Sequence, residues 1–183
     1  MLVMLVIDIT AGPLLTLVVY KPGKPSLRFD LSVIALVQAA FLAYGLHTLW
    51  QSRPVFLVGS DVRFNLVMAS EVDPAQLAKA PRPEWRTLSS TGPVLVGVLP
   101  PADQQQRRSL LDILLETGRD QEQLPEQYRP YDEVRSLVLA KSVPLEGRAD
   151  AGDYRAVPII SRFDEAWMLV DSKGNPHKVI PRR

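Results

Sequence analysis

Two apolar runs fill most of the first fifty residues, and a short basic loop separates them. Met1–Tyr20 reads MLVMLVIDITAGPLLTLVVY, and Leu31–Trp50 reads LSVIALVQAAFLAYGLHTLW. Each has about the 20 residues a helix needs to cross a hydrocarbon core. A chain of 183 residues has little interior in which to bury two such helices on every side. Both are therefore expected to span a membrane. The second has no formal charge, and Tyr44, His47 and Trp50 gather toward one end, as aromatic side chains do at a membrane–water interface. The first does not read as a secretory signal, because its first basic residue, Lys21, follows the apolar run instead of preceding it.

The linker KPGKPSLRFD contains two prolines and a glycine, so the chain turns and the spans run antiparallel. Lys21, Lys24 and Arg28 are concentrated there, and basic residues in short loops mark the cytoplasmic side. The expected organisation is a transmembrane helical hairpin over 1–54, with a cytoplasmic loop at 21–30. A domain over 55–183 follows on the outer side, periplasmic in a diderm bacterium. Met1 begins inside the apolar run with no polar flank, and an additional upstream span is expected on that ground.

Asp8 is the one charge within the first run. A carboxylate in a span is costly, so it faces protein or water. It is either solvated near the membrane surface, about 10 Å along a helix from Met1, or set against a partner. Gly12 and Pro13 lie one turn on; a proline there frees a carbonyl close to Asp8 and kinks the helix. Asp8, Gly12 and Pro13 are thus the candidate intramembrane contact. A proton relay is disfavoured, since His47 is the only other ionisable group within the runs.

Beyond Pro54 the apolar runs shorten. Val55–Ser60 and Arg63–Ser70 read as a hairpin, Asp73–Ala80 as a short helix capped by Asp73 with Pro74 in its first turn, and Pro93–Pro101 as a strand. Asp103–Thr117 reads as a helix stopped by Gly118, with Leu110, Leu111, Ile113, Leu114 and Leu115 as its core stripe. A further helix is expected near Asp132–Lys141, and Arg155–Ser161, Ala166–Asp171 and His177–Pro181 read as a meander. Strands at both ends with helices between make the class α+β.

Of the chain's 21 Lys/Arg and 20 Asp/Glu, the first fifty residues hold three and two, leaving 18 of each for the remainder. A formally neutral domain disfavours nucleic acid as a partner. With no cysteine there is no disulfide, thiolate catalysis or thiolate-bound metal. No phosphate-binding glycine loop, nucleophile elbow or zinc motif occurs, and the two histidines, His47 and His177, have no ligand spacing. No catalytic, cofactor-binding or metal residues are therefore assigned, and an enzyme is not expected. In EQYRPYDE, Tyr128, Arg129 and Tyr131 form a candidate contact edge of the outer domain; the alternative is that the tyrosines cover the core edge.

The run DITAGPLLTLVVYKPGKPSLRFDLSVIALVQAAFLAYGLHTLWQSRPVFLV, Asp8–Val58, resembles the type IV pilin accessory proteins. The resemblance continues more weakly through DVRFNLVMASEVD and LPEQYRPYD. It implies a bacterial inner-membrane protein with a periplasmic domain and no cofactor; proteins of that family typically begin with one more transmembrane helix than the two expected here, which agrees with the missing polar flank at Met1. It also implies chaperone-like help to pilin before or during pilus assembly. Type IV pilin and the lipid bilayer are the implied partners, and a pilin helix carrying a free amine is the implied partner of Asp8. An envelope sensor is an alternative, disfavoured by the short cytoplasmic loop; a non-catalytic subunit of a pilin-modifying enzyme is another.

Overall fold

Away from water, a backbone can satisfy its polar groups only within itself or against a neighbouring strand. The uncharged run Leu31–Trp50 satisfies them by coiling: it lies within helix α1, Leu27–Gln51. The computed structural model describes residues 14, 16–17, 25–145, 152–160 and 165–182. The chain falls into two units, Met1–Trp50 and Gln51–Arg183.

In the first unit, α1 is long and apolar enough to cross a membrane, and none of its residues is buried. At 25 residues it is about 37 Å long. Its hydroxyls bond back to its own carbonyls, Ser32 Oγ to the Arg28 oxygen at 2.7 Å and Thr48 Oγ1 to that of Tyr44 at 3.0 Å. Such bonds remove the cost of a polar group in hydrocarbon. The helix begins earlier than expected. Leu27–Asp30, assigned to the cytoplasmic loop 21–30 by sequence, form its first turn. Ser26 Oγ donates to the Asp30 carboxylate at 3.2 Å, and an acidic group suits a helix N-terminus. Leu14, Thr16 and Leu17 are helical. Most of the first apolar run, with Asp8, Gly12 and Pro13, lies outside the described residues. Among the described residues one helix, not two, has the length of a span.

The second unit is built on a mixed sheet. Its strands are β1 (Pro54–Gly59), β2 (Phe64–Met68), β3 (Val94–Gly97), β4 (Val143–Pro144), β5 (Arg155–Ile160), β6 (Glu165–Val170) and β7 (Pro176–Pro181). They run in the order β3-β1-β2-β5-β6-β7, and β4 pairs with β5. The expected hairpin is β1–β2 and the expected meander is β5–β6–β7, all antiparallel. The long-range pairs β1–β3 and β2–β5 are parallel, as crossovers require. Both faces are covered. Phe56 and Val58 enter a cluster with Val96, Trp85 and Tyr128, and Leu57, between them, packs on the opposite cluster of Phe64, Val134, Val138 and Val157. This is the period-two alternation of a strand buried on both sides.

Three helices complete the unit: α2 (Pro74–Leu77), α3 (Gln104–Thr117) and α4 (Tyr131–Lys141). Asp73 and Gly118 act as the sequence predicts, and Asp103, read as the first residue of its helix, is instead its N-cap. Asp73 Oδ1 accepts from the Ala75 amide at 2.8 Å, and Asp103 Oδ1 from that of Gln106 at 2.7 Å. Gly118 ends α3 with φ of 69°, a conformation open to glycine at no steric cost. Helix α4 packs on β3, β1 and β5.

The burial of α3 departs from expectation. No residue of the helix is buried, and Leu111, Leu114 and Leu115 are exposed; Leu110 and Ile113 are half-buried. The core stripe anticipated for these five residues is thus mostly a surface stripe. The reason is occupancy. Pro100 and Pro101 lead the chain away from edge strand β3, and the two faces of the sheet beside it are already taken by α4 and by the Trp85–Tyr128 cluster.

Candidate functional site

The segment singled out for its tyrosines runs from Arg119 to Tyr131, and it is a strap across the end of the sheet. It starts with a 3₁₀ turn, Gln121–Gln123, capped by Asp120. The pattern Asp-x-x-Gln is a capping box, so this turn is legible in the sequence. A second such turn, Pro125–Gln127, follows. The strap then joins the sheet edge, where the Arg129 amide donates to the Gly97 carbonyl at 2.8 Å and the Gly97 amide to the Arg129 carbonyl at 2.9 Å.

Both tyrosines turn inward. Tyr128 is fully buried, its ring edge-on to Phe56 with centroids 5.0 Å apart, and its hydroxyl donates to the Glu122 carbonyl at 2.9 Å. Tyr131 is 7% exposed and packs beside Phe64; its hydroxyl donates to the Gly174 carbonyl in the β6–β7 turn at 2.6 Å. Burial pushes both phenols well above their ordinary pKa, Tyr128 further because of the Glu122 and Glu71 carboxylates. For Tyr131 the nearby Arg135 opposes the rise. Of the three residues proposed as a contact edge, the structure leaves Arg129 exposed and places Tyr128 and Tyr131 in the interior. The tyrosines hold the strap and the hairpin turn in place.

A second set of groups ties the strap to the strands, and no sequence motif marks it. Arg63, just before β2, donates from Nη2 to Asp120 Oδ2 at 2.8 Å and from Nε to Glu122 Oε1 at 3.0 Å. Glu122 is 5% exposed. Partial burial alone lowers the Arg63 pKa, but the two carboxylates outweigh it and hold the guanidinium above its usual range. Arg119 donates to the Glu71 carbonyl at 3.3 Å and pairs with Asp73 at 3.5 Å. The only hint in the sequence is the like-signed Asp120 and Glu122 two residues apart, which need a cation between them. These charges pair with one another, Glu122 alone among them being buried, so the strap is a structural clamp, and Arg129 beside it is exposed.

At the far end of the sheet His177 stacks on Tyr154, ring centroids 4.6 Å apart and planes within 6°. Asp171 caps the β6–β7 turn, accepting from the Lys173 and Asn175 amides at 2.8 Å each; its hydrogen bonds from Asn175 hold its carboxyl below the usual range.

Together these features define a class: an apolar helix of spanning length, followed directly by a mixed α+β domain whose polar clusters serve its own architecture. Over 141 residues, 76% of this chain, the sequence is 26% identical to a protein of Dichelobacter nodosus named "Fimbrial assembly protein, serogroup I". The chain spans 54% of that relative's length. No family model matches the chain. No solved structure matches it.

Proposed function

We propose that this chain is an inner-membrane accessory factor of type IV pilus biogenesis that binds pilin, in a chaperone-like manner, before or during assembly. The observation that carries the reading is the similarity to a fimbrial assembly protein across three quarters of the chain. The resemblance of Asp8–Val58 to the type IV pilin accessory proteins supports it, as does a helix able to anchor the domain at the membrane where pilin resides. In this reading α1 is anchored in the inner membrane, Lys21, Lys24 and Arg28 stay cytoplasmic, and the domain after Trp50 is periplasmic. The protein is not an enzyme, and its work is binding. Asp8, beside Gly12 and Pro13, meets the free amine of a pilin helix within the bilayer.

In-cell photocrosslinking from the exposed Arg129 position and from α1 tests the reading. Capture of pilin from either supports it. Absence of pilin from every adduct, with pilus number and pilin level unchanged on deletion, rejects it. Asp8→Asn and Asp8→Ala are expected to lower pilin co-purification; unchanged co-purification in both removes the role given to Asp8.

A further inference from the structure

Gln38 is the one amide side chain within the uncharged run Leu31–Trp50. It is exposed, and no described residue pairs with it. In hydrocarbon such an amide finds a partner only on another helix. The side of α1 that carries Gln38 is also the side already partly covered. Leu27, Leu31 and Ile34 are half-buried, whereas Phe29 and Leu36 are each 71% exposed. At about 100° per residue, the three half-buried residues lie within about 40° of Gln38 around the helix, and Phe29 and Leu36 lie about 160–180° away. Asp30, also half-buried, lies about 80° away.

The chain itself supplies the occupant. Both apolar runs belong to one compact unit, Met1–Trp50. The first run has a covered side of its own: Thr16 is half-buried, while Leu14 is 60% exposed and Leu17 77%. Continued back as a helix, the run puts Asp8 about 80° from Thr16, about 120° from Leu14 and opposite Leu17. Depth then brings the two polar groups together. The runs flank a loop between Tyr20 and Leu27, so in an antiparallel pair residues equally far from its two ends lie level. Thr16 and Leu31 are each four residues from the loop, and Gly12 and Ala35 are each eight. Asp8 is twelve residues from it and Gln38 eleven, depths of about 18 Å and about 17 Å. Gly12 against Ala35 lets the two backbones approach closely just beside them.

We propose that the Gln38 side of α1 seats the chain's own first apolar run, and that the Gln38 amide donates to the Asp8 carboxylate within the bilayer. This rests on the reading that both runs are membrane helices. A carboxylate has several acceptor sites, so Gln38 holds one oxygen and leaves the other for a cation. Gln38 is thus the positioning residue for the contact given to Asp8 above.

The absence of cysteine lets pairs of introduced thiols report neighbours without background. The full chain is reconstituted without pilin in liposomes of phosphatidylethanolamine and phosphatidylglycerol, and only chain that resists alkaline carbonate extraction is scored. Under a mild oxidant, Thr16→Cys with Leu31→Cys and Leu5→Cys with Leu42→Cys bracket the level of Asp8 and Gln38. Both pairs should form intrachain disulfides several-fold faster than Leu5→Cys with Ala43→Cys, where position 43 faces about 140° away from Gln38. Adding Gln38→Leu should slow the 5–42 disulfide several-fold. Exchanging the two groups, Asp8→Asn with Gln38→Glu, should keep it near the parent rate. Interchain disulfides in place of intrachain ones give the face to a second copy and overturn the proposal. No disulfide at either bracketing pair overturns the docking. Rapid disulfides indifferent to Gln38→Leu, or a loss that the exchange does not recover, overturn the pairing with Asp8. A chain fully extracted by carbonate overturns the proposal and the anchor reading together. Pilin is absent throughout, so the pilin-binding reading stands or falls separately.

Discussion

Gly97 is the position at which one added methyl group tests the architecture most directly. It lies at the end of β3, where α4 crosses the sheet and where the strap bonds through Arg129. A Cβ at position 97 would overlap Val134 Cγ2 and sit 3.1 Å from Cγ1. Val134 is fully buried, so its side chain has no free space to move into. Overpacking of this kind costs about 1–3 kcal/mol. Replacing glycine returns about 0.5–1 kcal/mol by restricting the unfolded chain, and Gly97→Ala should therefore destabilise by about 1–2 kcal/mol. Val134→Ala removes two buried carbons, about 1.6 kcal/mol by transfer alone and more for the cavity left behind. In the double variant the new methyl occupies space that Val134 vacates. Its cost should fall short of the sum by about 1 kcal/mol or more. The assay is urea unfolding of the full chain in nanodiscs, followed by tryptophan fluorescence, to which Trp85 contributes from a site only 4% exposed. Additivity within about 0.5 kcal/mol, or a neutral Gly97→Ala, would refute the close approach of α4 to β3.

Other outcomes follow from the strap. Tyr128 and Tyr131 have folded-state pKa values raised above their unfolded ones, so their stabilising contribution is complete below about pH 10 and is lost as pH rises further. Stability should then fall by up to about 2.7 kcal/mol per pH unit, two protons' worth. Tyr128→Phe should halve that slope, and at neutral pH cost about 1–3 kcal/mol for the Glu122 carbonyl left without its donor; an unchanged alkaline slope would show that the ring is not buried. Arg63→Met leaves Glu122 buried without its cation and should cost about 2 kcal/mol, between the values for exposed and buried pairs. Adding Glu122→Gln should recover part of that loss, and no recovery in the melting curve would separate Arg63 from Glu122.

Signals that act over a few residues were legible in the sequence. The cap at Asp73 and the stop at Gly118 work through atoms within four residues of one another, and the structure forms each where the residue types indicate. The hairpin and the meander are likewise sequence neighbours. The parallel pairs β1–β3 and β2–β5 join segments far apart in the chain, and nothing in either partner's own residues names the other. The strap shows the same division. Its capping box could be read, whereas the pairing of Arg63 with residues 57 and 59 positions away could not.

The amino-acid order alone determined that residues 31–50 form an uncharged helix of spanning length, because an apolar run of that length has one way to satisfy its backbone in lipid. It also set the α+β class, the cap at Asp73 and the stop at Gly118. The tertiary structure decided which apolar residues are covered. Periodicity shows that a helix has an apolar side and not what lies against it. Tyr128 and Tyr131, polar-tipped and within a charged segment, are interior because the Glu122 and Gly174 carbonyls accept their hydroxyls. Leu111, Leu114 and Leu115, apolar and regularly spaced, are exposed because the faces of the sheet beside them are already filled.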